Sequence, residues 1–134
     1  MSTISPMTGR GILTRQECSD ADLQALPNTA SNAFKTFSRT SLAERQKIVG
    51  AALDLMEKRT DELAHELTLQ MGRPIAYTDK EIITAVARGR YMLRISEAAL
   101  KDTEGEPEQG FRRYVKKMPL GPVLVIFAWN VSAP

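Results

Sequence analysis

The chain has 134 residues, 43% of them apolar and 25% charged, with a net charge of +2, which suits one modest soluble domain. That balance excludes a polyanion partner selected by overall charge, and the longest apolar run, residues 123–129, is strand-sized and too short to cross a bilayer. Cys18 is the only cysteine and His65 the only histidine, so an internal disulfide framework and the familiar zinc sets are both excluded. Both facts fit a reducing compartment, and a cytoplasmic location is the expectation. A mitochondrial alternative rests only on Arg10 and Arg15 among Ser and Thr before the first acid, Glu17. Pro6 and Gly9 interrupt any amphipathic leader there.

In chain order, residues 1–18 read as an extended, turn-rich lead-in with its turn at Ser5-Pro6-Met7-Thr8-Gly9. Ser19 caps a helix, with Asp20 and Asp22 at its positive end. Pro27 cannot donate a backbone hydrogen bond, so the pattern predicts a break there and a restart over 28–37. The restarted helix is expected to bury Ala30, Ala33, Phe34 and Phe37.

Ser41-Leu42-Ala43-Glu44 is a capping box, from which a helix should run to about Lys58 with Ile48, Val49, Ala52, Leu55 and Met56 inward. Thr60 caps the next helix, which carries Leu63, Leu67 and Met71. Gly72 supplies its left-handed stop and Pro74 blocks its continuation. Thr78-Asp79-Lys80-Glu81 reads as a second capping box, opening a long helix to about Leu100. Ile82, Val86, Gly89 and Leu93 form one stripe of it, with Ile83, Ala87 and Tyr91 beside.

Residues 101–110 are charged and rich in turn formers, and read as a loop. Residues 111–118 alternate in a strand-like way, and 119–122 form a turn. The run 123–127 is apolar without alternation, which suits a strand buried on both faces of a parallel sheet.

The segment Pro119-Leu120-Gly121-Pro122-Val123-Leu124-Val125-Ile126-Phe127-Ala128-Trp129-Asn130 resembles the signature that leads into the cofactor sheet of NAD(P)-dependent aldehyde dehydrogenases. Upstream, Thr40-Ser41-Leu42-Ala43-Glu44-Arg45, Asp61-Glu62-Leu63-Ala64 and Met71-Gly72-Arg73-Pro74 resemble helix starts and stops of that family. Ser5-Pro6-Met7-Thr8-Gly9 is similar to its Asn-Pro-Ala-Thr-Gly lead-in. The motifs span residues 5 to 130 in the family's order, and the general look is nearest the succinate-semialdehyde branch. Two positions depart from the pattern. Ala128 stands where many relatives carry Pro, and Val131-Ser132 where the family expects an aromatic residue and Pro.

The resemblance implies a fragment of an α/β fold, mostly α-helical with about four helices. An antiparallel strand and the first strand of an incomplete Rossmann-like sheet follow. Residues 19–100 would be the helical part of the cofactor-binding domain, 101–121 a loop and an oligomerisation-type strand, and 122–134 the truncated start of the sheet. Ile126, Phe127, Ala128 and Trp129 would line the nicotinamide end of an NAD or NADP site. The Asn130 amide would stabilise the oxyanion of a small aldehyde substrate. Homo-oligomerisation, or association with a full-length relative, is the implied partnership.

The family's cysteine nucleophile, glutamate base and phosphate-binding loop have no counterparts here. Cys18 matches no nucleophile position and has no activating neighbour in sequence. The chain alone is therefore expected to be inactive and to bind no cofactor. The alternatives are a non-catalytic interaction fragment or an unstable product. Arg112, Arg113, Lys116 and Lys117 fall on both faces of a strand, which suits a guarded edge rather than a nucleic-acid surface. His65, between Glu62 and Glu66, reads as a solvated helix residue.

Overall fold

The computed structural model describes residues 1–126. Strands β1 (Ser2–Ile4) and β2 (Gly11–Thr14) form an antiparallel hairpin, with Ser2 opposite Thr14, Thr3 opposite Leu13 and a bulge before Ile4. Its turn lies where the sequence places it. The Gly9 N–H donates to Ser5 O at 2.8 Å, and Gly9 takes a positive φ of 67°. The lead-in is thus a hairpin rather than merely extended chain.

Four helices follow: α1 (Asp20–Phe37), α2 (Leu42–Lys58), α3 (Thr60–Met71) and α4 (Ile75–Leu100). Two begin with closed capping boxes. In α1 the Asp22 N–H donates to Ser19 Oγ at 3.2 Å while the Asp22 carboxylate accepts from the Ser19 N–H at 3.2 Å. In α2 the Glu44 N–H donates to Ser41 Oγ at 3.1 Å and the Ser41 N–H returns to Glu44 at 2.8 Å. Each box satisfies two backbone donors that a helix start otherwise leaves orphaned.

The break expected at Pro27 does not occur, and α1 is continuous through it. The proline leaves the Leu23 carbonyl without its helical donor. No residue of α1 is buried, so water can serve that carbonyl and the loss is tolerated. For the same reason the inward face expected on residues 28–37 is not formed. Phe34 is half-buried and Phe37 is exposed.

The core lies between α2, α3 and α4 and consists of Leu53, Ala64, Leu67, Ile82, Ala85 and Val86. Leu53 is the one buried residue of α2, at 7% exposure. It enters α4 opposite Gly89, where a Cβ would come within 2.6 Å of Leu53 Cδ2. The expected stripe on α4 is correct at Ile82, Val86 and Gly89. The face expected on α2 is not: Ile48, Val49 and Leu55 are exposed, and the helix turns Leu53 inward instead.

The α3–α4 corner departs from expectation in an informative way. Gly72 closes α3 in the left-handed conformation, φ 72°. However, α4 then starts at Ile75, with Pro74 as its N-cap, three residues before the expected capping box. Thr78 is therefore inside the helix and fully buried. Its hydroxyl donates back to Ile75 O at 3.1 Å and lies 3.1 Å from Thr68 Oγ1 of α3, so a polar pair sits inside the corner. Glu81 turns away from the backbone to pair with Arg73. Thr60 likewise caps nothing; its hydroxyl donates back to Glu57 O at 2.7 Å. The hairpin tip seats on this corner, with Pro6 Cγ 2.9 Å from where a Cβ on Gly72 would lie.

Beyond α4, β3 (Thr103–Glu104) pairs antiparallel with β4 (Tyr114–Val115). The region expected as a loop thus supplies one strand of the pair, and 111–118 contributes only its centre. The Lys117 N–H donates to Asp102 Oδ1 at 2.9 Å, closing the base of this hairpin.

Leu53→Ala is expected to cost about 2–5 kcal/mol of unfolding free energy, because the gap it leaves against Gly89 cannot fill from either backbone. Urea titration followed by far-UV circular dichroism measures this.

Hydrogen bonds from Ser19, chiefly its side chain, hold the Asp22 carboxyl below its usual range. The backbone N–H of Ser41 does the same for Glu44, with help from the Ser41 hydroxyl. A depressed folded value means the stabilisation is full above the unfolded pKa and is lost as pH falls through the folded one. Helicity should therefore drop on acidification below the ordinary carboxylate range. Glu44→Gln, which keeps the acceptor but cannot titrate, should blunt that drop.

Candidate functional site

Of the residues assigned to the cofactor and substrate site, Ile126 alone lies among the described residues. Phe127, Ala128, Trp129 and Asn130 fall outside them. The buried strand expected over 123–127 is not formed over 123–126. These residues pair with nothing among the described residues and are strongly exposed, Val123 at 71% and Ile126 at 84%. The physical reason is the one that defines a parallel strand: its donors and acceptors need neighbours on the sheet, and the described residues provide none.

Residues 122–124 do meet something else. Pro122, Val123 and Leu124 face Leu23, Leu26, Pro27 and Ala30 of α1 across an open groove of about 510 Å³. Its lining offers no side-chain donor or acceptor, so it suits apolar side chains and not a phosphate or a ribose. The three-residue spacing of Leu23 and Leu26 reads as an inward helix face, yet both side chains are exposed. That they would meet residues 122–124 was not legible, because nothing in local spacing links segments a hundred positions apart.

A dinucleotide site needs more than these residues hold. Phosphates are bound by backbone N–H groups at a glycine-rich turn opening a helix, and none of the four helices begins that way. The described residues therefore do not by themselves fit NAD or NADP. Cys18 is exposed, in the link between β2 and α1. No group of three or more His, Cys, Asp or Glu poised for a metal ion occurs among the described residues, and His65 is exposed on α3. No described helix is long and apolar enough to cross a membrane.

The four basic residues flank β4 (Tyr114–Val115) and lie outside it, so the alternation over two strand faces expected for them is not formed. Arg112 pairs with Glu104 at 3.1 Å and lies over the Tyr114 ring at 5.1 Å, while Arg113 pairs with Glu108. Half of their positive charge is thus met within the β3–β4 hairpin. On the helices, Arg90 of α4 reaches Asp54 at 2.9 Å and Glu57 at 2.5 Å on α2. Its guanidinium is held charged chiefly by the Glu57 hydrogen bond. This exposed pair aligns two helices but is a weak source of stability.

The arrangement of hairpin, four helices and second hairpin is that of known proteins. The aldehyde dehydrogenase family model matches residues 1–133. A succinate-semialdehyde dehydrogenase [NADP(+)] of Mycobacterium tuberculosis is 30% identical over 132 residues, covering 97% of this chain and 29% of that protein. The Mycobacterium avium enzyme of the same description is 31% identical over 133 residues.

Among solved structures, the aldehyde dehydrogenase KauB from Pseudomonas aeruginosa superposes with a TM-score of 0.73 at 26% identity. That match covers 81% of this chain and 22% of that one. A succinic semialdehyde dehydrogenase from Streptococcus pyogenes, solved with NADP+, gives a TM-score of 0.74 at 21% identity, covering 84% and 25%. The chain thus spans under a third of the length of these relatives, and it matches the N-terminal part of their fold. On the strength of a match along nearly its whole length, this chain belongs to the aldehyde dehydrogenase family.

Proposed function

We propose that this chain is the N-terminal, helical flank of the cofactor-binding domain of an aldehyde dehydrogenase. The whole enzyme would oxidise small aldehydes to carboxylic acids with NAD or NADP. The observation that carries the reading is the family match over residues 1–133, joined to the motif order that ends at Trp129-Asn130. The NADP-dependent succinate-semialdehyde dehydrogenases among the relatives support a semialdehyde substrate.

In this reading Ile126, Phe127, Ala128 and Trp129 line the nicotinamide end of the site. Asn130 carries the one catalytic role within the chain. Its side-chain amide donates to the aldehyde oxygen as negative charge develops there, stabilising the transition state more than the ground state. Nucleophilic attack and water activation need a cysteine thiolate and a general base, and the exposed Cys18 is placed for neither.

The 134-residue chain incubated with succinate semialdehyde and NADP+ is expected to form no NADPH, and robust turnover would refute the assignment of an inactive flank. Residues 1–130, grafted in place of the matching segment of the Mycobacterium tuberculosis enzyme, should support turnover. Asn130→Ala in that chimera should lower kcat by about 10²–10³-fold, the loss typical of one oxyanion donor. A change in KM alone would mean that Asn130 only binds substrate.

The open groove between α1 and residues 122–124 favours a second reading, a non-catalytic fragment that docks on a full-length relative. In that case the chain should co-purify with such an enzyme at micromolar concentration, and Leu26→Asp should abolish the association. Failure of the unmodified chain to co-purify removes this reading.

A further inference from the structure

The α2–α4 contact is fastened by polar groups at one end, and one of them lacks its partner. Gln46 of α2 donates through Nε2 to Ser96 Oγ at 2.8 Å and to Leu93 O at 3.3 Å, and Ser96 Oγ donates to Leu93 O at 2.7 Å. The neighbouring Arg45 lies further along the same junction, beside Leu100, the last residue of α4. Its Nε is buried and has no hydrogen-bond partner among the described residues. A buried guanidinium N–H without an acceptor is costly, and native structures rarely keep one.

Acceptors in the complementary condition lie beside it. The last four carbonyls of any helix have no intrahelical donor, and here α4 has no basic residue in its last turn. Among the described residues, no N–H or side chain from outside the helix donates to the carbonyls of residues 97–100. Arg45, Leu100, Lys117, Met118 and Pro119 together surround a small pocket of about 140 Å³. That pocket lies between a residue with an unpaired donor, the last residue of α4 at the helix's negative end, and the exposed crossing segment 117–119.

We propose that Arg45 is a positioning residue: its guanidinium, unpaired at Nε here, closes across this small pocket onto the C-terminal carbonyls of α4 and the carbonyls of residues 117–119, and so sets the direction in which the chain leaves the helices toward residues 122–126. Arginine suits this task because its planar fork presents several donors at fixed angles, and a basic group at a helix C-terminus is favoured by the dipole. The Lys117 N–H bond to Asp102 fixes the start of the crossing segment, and Arg45 fixes its path. The functional meaning of the clasp rests on the proposed reading of residues 126–130 as the cofactor and substrate end. The clasp itself does not.

Limited trypsin digestion of the 134-residue chain tests it, with cleavage after Lys117 reporting on the crossing segment and cleavage after Arg88, inside α4, reporting on general unfolding. Arg45→Ala should speed cleavage after Lys117 by about tenfold while leaving the Arg88 rate within about twofold, as expected for local opening. Arg45→Lys, which keeps the charge and loses the fork, should recover only part of the protection. If Arg45→Ala fails to fold, Arg45→Lys alone decides, with about a threefold local acceleration expected. An unchanged Lys117 rate, full protection by lysine, or equal acceleration at both sites overturns the clasp. Because no cofactor or substrate enters the experiment, its failure leaves the proposed enzymatic reading to be judged separately by the Asn130 chimera.

Discussion

The arrangement depends on how closely α2 can approach α4, and that is set by Leu53 facing Gly89. With no side chain at 89, the isobutyl group of Leu53 fills a position that any Cβ would contest. The approach brings Gln46 within reach of Ser96 and Leu93 at one end of the contact and Arg90 within reach of Asp54 and Glu57 further along. Since α3 packs on the same helix through Leu67, Ile82 and the Thr68–Thr78 pair, α4 becomes the common support for both neighbours. The N-terminal hairpin is carried in turn by the α3–α4 corner, where Gly72 leaves room for Pro6.

A core built on one central helix uses only part of each surrounding helix. The apolar residues Ile48, Val49 and Leu55 of α2 and Ile83 and Tyr91 of α4 face outward, as do Leu23 and Leu26 of α1. A self-sufficient domain of this size rarely leaves so many large side chains in water. The chain matches the N-terminal part of a fold about four times longer. Residues 123–126 are exposed as well. They have the composition of a central strand, and a central strand is stable only between neighbours.

The chemistry divides along the same line. The helices are held together by the apolar core between α2, α3 and α4, with Gly89 admitting Leu53 and the Thr68–Thr78 pair inside the corner. The residues proposed to meet cofactor and substrate come at the end of the crossing segment. The clasp proposed at Arg45 joins the two groups, because the path of residues 117–119 determines where residues 122–126 are delivered.

Features set by near neighbours in the chain were legible in the residues themselves. Ser19 and Ser41 cap their helices because the partner N–H is three residues away, and Gly72 stops α3 because only glycine adopts that φ without strain. The ordered motifs from Ser5 to Asn130 were likewise enough to place the chain in its family, since they record a fold rather than a local preference. Features that depend on distant residues were not legible.

Thr78 has the spacing of a cap, yet it is buried within α4. Pro74 already supplies an extended N-cap, and Thr68 of α3 offers its hydroxyl a partner. Pro27 reads as a break, yet α1 runs through it, because no residue of that helix is buried and water can satisfy the freed carbonyl. The face of α2 was misplaced because it carries more than one apolar stripe, and only the glycine at 89 on another helix decides which one turns inward. Local hydrogen bonding and backbone sterics are written in the sequence; which surfaces meet, and which strands find partners, is decided by tertiary packing, where the determining contact is between residues far apart in the chain.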